Sequence, residues 1–252
     1  MRIIGPTPIS GKISTAAIDD NAVTLAKMAS GTDGNVISYD ASTNPVAIAT
    51  GTSGHFLKSQ GAGAQPVFAA AGGAWNLIGT SVASSSASLT QTGLDSTYDT
   101  YAIALSDLVP ATDNVDPYFR FGDSSGIDNS ASDYVWAIDG EQSSDTTYSP
   151  TGGVDNSDSE IALSQSASTV NGVGNASGEG LSGVFWLGQP GDSTMRTTLQ
   201  GTYSFWDGST VFHRFTGGGA RNAIITCDRI QFLFASGNIA TGRMTVWGIA
   251  HA

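Results

Sequence analysis

Hydrophobic and polar positions change rhythm near residue 73. Downstream of it, apolar residues recur in short runs with the two-residue period of a half-buried strand. The period is clearest in Tyr101-Ala102-Ile103-Ala104-Leu105 and in Ile230-Gln231-Phe232-Leu233-Phe234. The pattern predicts strands near residues 75–80, 100–105, 118–121, 134–138, 161–164, 181–187, 195–205, 211–215, 223–235 and 244–249. Clusters of Gly, Ser and Asp separate them, and residues 140–158 and 171–180 read as long polar loops, the places where a β scaffold usually binds. So many short strands predict a mainly β chain whose residues 74–252 form a β-sandwich head domain, jelly-roll-like in type.

Residues 1–73 have another texture, with little that could fill a globular core. From Ile18 to Ala29 the chain opens with carboxylates at Asp19 and Asp20 and sets Ile18, Ala22, Leu25 and Ala29 at spacings of four, three and four, which predicts one short helix. About three turns of Ala-rich helix do not persist alone, so this seam packs either on its own head or on the same seam of other copies, as at a trimer axis. A repeat follows. Gly31-Thr32-Asp33-Gly34-Asn35-Val36-Ile37 returns as Gly51-Thr52-Ser53-Gly54-His55-Phe56-Leu57, and Asn44-Pro45-Val46 returns as Gln65-Pro66-Val67. A unit of some twenty residues cannot bury its own apolar side chains and must stack on neighbours. With two copies in the chain, other chains are the expected neighbours, and Val36, Ile37, Phe56 and Leu57 join the helical seam as trimer-interface candidates. Residues 1–73 are thus an attachment and trimerisation arm, ending in the linker-like Ala69-Ala70-Ala71-Gly72-Gly73.

Composition sharpens this. Charged residues are 13% of the 252, Gly numbers 32, and the balance of 10 Lys+Arg against 22 Asp+Glu gives a net charge of −12. That charge opposes a phosphate backbone, so no nucleic-acid partner is expected. No run reaches the length of a membrane span and residues 1–12 lack the apolar core of a secretory signal, which predicts a soluble chain without membrane insertion. The single cysteine, Cys227, lies in an apolar run and reads as a small buried hydrophobe.

Candidate chemistry is sparse. His55, His213 and His251 sit in unrelated settings without the close pairing of a hydrolytic zinc site. Gly122-Asp123-Ser124-Ser125-Gly126 has part of the nucleophile loop of a serine protease, yet reads as a turn after a strand. Asp113, Asp116, Asp123, Asp128, Asp133 and Asp139 offer oxygen ligands without the spacing of a calcium loop and read as solvated turns. Glu141, Glu160 and Glu179 all read as loop residues and define no hydrolytic pair. Among aromatic residues, Trp136, Trp186, Trp206, Tyr134, Tyr148 and Tyr203 could stack on sugars or fill a core. Trp186, inside Gly183-Val184-Phe185-Trp186-Leu187, reads as core, whereas Tyr148 and Trp206 are the candidates for surface binding. No catalytic residue, cofactor or metal is expected, and the chain reads as a structural and binding protein and not an enzyme.

Several phrases resemble tailed-bacteriophage fibre proteins. They are the Ile18–Ala29 segment, the stretch from Gly51 to Phe68 ending in Gly61-Ala62-Gly63-Ala64-Gln65-Pro66-Val67-Phe68, and, in the head, Leu94-Asp95-Ser96-Thr97-Tyr98-Asp99-Thr100-Tyr101, Leu108-Val109-Pro110-Ala111-Thr112-Asp113 and the closing phrase around Ser236-Gly237-Asn238-Ile239. The resemblance implies a virion protein made in the host cytoplasm: a short homotrimeric tail fibre whose arm docks on other virion proteins and whose head attaches to a receptor, a host-surface glycan or protein. The alternatives are a capsid-decorating or head-fibre protein that stabilises the shell, and a polysaccharide-cleaving spike.

Overall fold

The structure, a computed structural model, describes residues 30–70, 72–145, 151–165 and 171–250. The segment with Ile18, Ala22, Leu25 and Ala29, as well as Tyr148 and His251, lies outside the described residues. The chain divides into two compact units, Met1–Gly72 and Gly73–Ala252.

In the first unit each copy of the repeat is a hairpin. β1 (Val36–Tyr39) pairs antiparallel with β2 (Pro45–Ile48), and β3 (Phe56–Lys58) with β4 (Val67–Ala69). The repeated Gly-Thr-x-Gly phrase makes the entry turn. The Asn35 N–H donates to Thr32 O (3.2 Å) and the His55 N–H to Thr52 O (3.0 Å). Gly34 and Gly54 take φ of 79° and 87°, a left-handed conformation that glycine adopts without steric cost. Asn35 Oδ1 accepts the Thr50 N–H (3.0 Å), fastening the exit of the first hairpin to its entry. His55 stands in the turn and is half-buried, with Nδ1 unpartnered. Strands of three or four residues have no second layer to cover them. Ile48 is accordingly the buried large apolar residue among the described residues of this unit, while Ile37 (59% exposed), Tyr39 and Phe56 (64%) stand in solvent.

The second unit is built of β5 (Trp75–Val82), β6 (Leu89–Thr92), β7 (Thr100–Pro110), β8 (Pro117–Asp123), β9 (Gly126–Ile127), β10 (Tyr134–Gln142), β11 (Thr151–Asp158), β12 (Ile161–Ala162), β13 (Gly180–Gly188), β14 (Thr198–Trp206), β15 (Phe212–Arg221), β16 (Arg229–Phe234) and β17 (Ile239–Ile249). No helix occurs among the described residues. An eight-stranded antiparallel sheet runs β11-β10-β15-β14-β13-β7-β17-β5, and a five-stranded sheet runs β12-β8-β16-β6 with β9 beside β8. Their facing sides share one core, as in a β-sandwich, with Phe119 of the smaller sheet set edge-on to Phe185 of the larger (5.0 Å) and to Phe232 beside it (5.5 Å). Entry and exit of this unit meet, since the Ala250 N–H donates to Ala74 O (2.7 Å) and Trp75 lies opposite Ile249.

Three expectations are corrected. The polar stretch 140–158 contains the end of β10 and all of β11, so Glu141 is a strand residue; Gly152, Gly153 and Asn156 form strand because β11 is an edge that needs only backbone pairing with β10. The apolar stretch 223–235 is strand only from Arg229, because its first part turns across the sandwich end, where the Asp228 N–H donates to Gly122 O (3.0 Å). The strand expected over 195–205 begins at Thr198.

Candidate recognition surface

Alternation along the eight-stranded sheet sends one set of side chains into the core and the other outward. On β13, Leu181, Phe185 and Leu187 are buried while Ser182, Val184 and Trp186 face out; on β14, Leu199, Tyr203 and Phe205 are buried while Gln200, Thr202 and Trp206 face out. Cross-strand register joins the outward set into rows. One runs from Leu77 on β5 through Trp247, Ala102, Trp186 and Gln200 to Ala137 and Val154 on the far edge. The next carries Thr80, Thr245, Ala104, Val184, Thr202, Thr216 and Asp139.

The two ends of this face are aromatic and its middle is small. Trp75 (50% exposed) stands edge-on to Trp186 (5.7 Å, 68°) and to Trp247 (5.9 Å, 69°). At the other end Trp206 (41% exposed) leans on Phe212, with centroids 5.6 Å apart. Between them runs a shallow groove of ≈ 530 Å³ floored by Ala104, Val184, Thr202 and Ser204, continuous with a hollow of ≈ 350 Å³ beside Trp186, Gln200 and Thr216. Charge is distributed unevenly. Residues 1–72 hold four cations (Arg2, Lys12, Lys27, Lys58) and four carboxylates (Asp19, Asp20, Asp33, Asp40), which leaves six arginines against 18 carboxylates, and so the whole −12, in the second unit. The outward side itself carries Asp107, Asp139, Glu141, Arg214 and Arg243, with Arg214 paired to Glu141 at 2.7 Å. The face is weakly charged on an acidic body.

Trp206, a surface-binding candidate from sequence, thus belongs to this face. Trp186 corrects the sequence reading: its apolar neighbours suggested core, but Phe185 and Leu187 take the inward positions and leave it 39% exposed. Tyr134, Trp136 and Tyr203 are buried, with Tyr203 Oη donating to Leu163 O (2.7 Å) and Trp136 Nε1 to Asp158 (2.9 Å). Sequence reasoning missed Trp75 and Trp247, which become neighbours of Trp186 only through strand order. Of the arm candidates, Ile37, Phe56 and Leu57 are solvent-exposed and Val36 marginally so.

The titratable groups hold loops. Asp207 Oδ1 accepts the N–H of Ser209 (2.8 Å) and of Val211 (2.9 Å), while Oδ2 accepts Asn171 Nδ2 (2.9 Å) and lies 3.0 Å from Nε2 of the fully buried His213. Arg221 ties Asp128 (2.8 Å) and Asp133 (2.9 Å) together over the Tyr134 ring. Asp123 accepts the N–H (2.8 Å) and hydroxyl of Ser125 inside the β8–β9 turn, hydrogen bonds that hold its carboxyl below the usual range. Asp116 accepts the Ser164 hydroxyl, and Asp113 the Asn175 N–H (3.2 Å), so the six aspartates are dispersed; no group of three or more potential metal ligands occurs among the described residues. Glu160 pairs with Arg120 (2.9 Å) and Glu179 accepts the Ala176 N–H (2.7 Å). Comparison of the chain with protein families, with characterised proteins and with solved structures finds no match.

Proposed function

We propose that the chain is a virion structural and binding protein, a short tail fibre whose copies associate as a homotrimer through the repeat arm and whose jelly-roll-like head attaches to a host surface without covalent chemistry. The observation that carries this reading is the solvent exposure of Ile37, Tyr39, Phe56 and Leu57 on hairpins too small to bury them. Stacked on the same hairpins of other copies, these side chains gain about 25 cal/mol for each Å² removed from water. The resemblance of several phrases to phage fibres supplies the biological setting, and the aromatic, weakly charged face of the head suits contact with an uncharged glycan or a protein.

Light scattering tests the assembly. One chain weighs 25.8 kDa. The full-length protein is expected at about three times that mass, and Ile37→Asp combined with Phe56→Asp lowers it by placing carboxylates in the stacked surface. A full-length protein that scatters as one chain at every concentration refutes the reading.

A further inference from the structure

We propose that the Trp206 end of the outer face is a saccharide site, where a sugar ring lies against the indole while its hydroxyl groups exchange hydrogen bonds with Asp107, Ser182, Ser204 and Arg214. The inference rests on the attachment reading above and gives it a ligand class and a place.

Three observations converge. The first is how the backbone presents Asp107. Leu105 points into the core, so strict alternation would send Asp107 inward as well. Instead β7 bulges, its register shifting against β13 between Leu181 and Gly183 and against β17 between Thr241 and Arg243. Leu108 takes the inward position, and Asp107 stands exposed on the outer side with φ 51°, a left-handed conformation uncommon outside glycine. Bulges re-aim side chains in this way beside functional sites.

The second is the polar row that this bulge completes. Register carries it from Arg243 through Ser106 and Asp107, Ser182 and Ser204 to Arg214 and Glu141. Ser182 Oγ accepts the Asp107 N–H (3.0 Å), which leaves its own O–H to donate. The Asp107 carboxylate and the Ser204 hydroxyl have no hydrogen-bond partner among the described residues. An acceptor carboxylate, serine hydroxyls and a donor guanidinium in one row answer neighbouring sugar hydroxyls, each of which both donates and accepts. Asp107, Glu141 and, nearby, Glu179 turn away phosphate and sulfate, while Arg214 and Arg243 oppose a cation, so the row suits an uncharged ligand.

The third is the aromatic ledge. Trp206 follows Ser204 by two residues on the same side of β14, about 7 Å away, and leans on Phe212. Gly180 stands opposite it without a side chain, so the half-exposed indole opens toward a hollow of ≈ 210 Å³ lined by Asp107, Glu179, Ser182 and Ser204. The C–H bonds on one face of a pyranose ring fit the negative face of an indole, as no hydroxyl row alone would require.

Full-length protein on an array of uncharged oligosaccharides of glucose, galactose, mannose, rhamnose and N-acetylglucosamine tests this. The wild type should bind at least one of them, and Asp107→Asn and Trp206→Ala should each weaken that binding roughly tenfold at an unchanged unfolding midpoint. Asparagine tolerates the left-handed backbone, so loss in that variant reports the missing carboxylate. Ser204→Ala, which removes one surface hydroxyl, supplies the same test should either variant lower the midpoint. Wild-type binding that the variants retain overturns the site and leaves attachment standing. Binding to none of the sugars, or quenching of tryptophan by tri-lysine alone, overturns the inference. Light scattering of the same samples keeps the two readings apart. A trimer that binds no sugar refutes the site only, whereas a single chain whose sugar binding is lost in the variants refutes the trimer and leaves the site.

Discussion

Asp207 shows how one side chain can fix a whole loop. It is 1% exposed, and its carboxylate gathers two backbone N–H groups, Asn171 and His213 at the β14–β15 turn. Replacing it with alanine leaves His213 Nε2 and those N–H groups without acceptors, and we expect Asp207→Ala to cost about 3 kcal/mol in urea unfolding. Burial alone would raise its pKa, but the hydrogen bonds from Val211, His213, Asn171 and Ser209 outweigh it and hold the carboxyl below 3.8. The folded carboxylate is therefore the weaker proton acceptor, and its contribution is complete at neutral pH and is lost as pH falls below about 4. Cys227 acts at the other extreme. Burial pushes its thiol from 9.0 up to about 11, so the unfolded chain releases this proton first. Stability should fall from about pH 9 upward, by on the order of 3 kcal/mol once pH passes 11. Urea midpoints measured between pH 7 and pH 11 check the slope, and a thiol reagent at pH 8 should leave Cys227 unmodified until the protein unfolds.

Strands of the large sheet are matched by pairing rings with glycines. A Cβ on Gly201 would overlap the Phe185 ring and one on Gly140 the Phe215 ring, so each of these rings lies over a glycine of the adjoining strand, and one on Gly183 would overlap Tyr203 Cβ. Phe185→Ala should cost 3–5 kcal/mol by opening a cavity beside Phe119 and Tyr203, and Gly201→Val should cost at least 1–3 kcal/mol by forcing that ring aside. Thermal unfolding of both variants measures this, and unchanged midpoints would show that the rings have room. This pairing explains what was legible in the chain. Period-two alternation marked β7 and β16 most clearly, because their large side chains point to one side. It could not mark β11, whose Gly152, Gly153 and Asn156 hold a backbone edge without side-chain help. Nor could it assign Trp186, since a run of five apolar residues hides which are inward until the pairing partners are known. The outer face of the large sheet is assembled from strands as distant in sequence as β5 and β17, so its tryptophans were visible singly but not as a group.

At the scale of the whole molecule the head holds all of the net charge, and its six cations are all arginines, four of which pair with carboxylates. We expect no retention on a sulfated polysaccharide column at roughly 0.05 M salt, where screening is weakest; retention there would require a cationic patch that the head does not present. The meeting of Ala74 and Ala250 has a mechanical meaning. Because β5 and β17 run antiparallel and begin and end at one place, tension drawn between the two ends of the head does not cross the sandwich. It arrives at the Ala74–Ala250 hydrogen bond and, beyond it, opens the β5–β17 ladder one rung at a time. Under such a load the first thing to yield is a single edge strand, peeled like a zip, while the remaining strands of the sheet and the core beneath them carry no force.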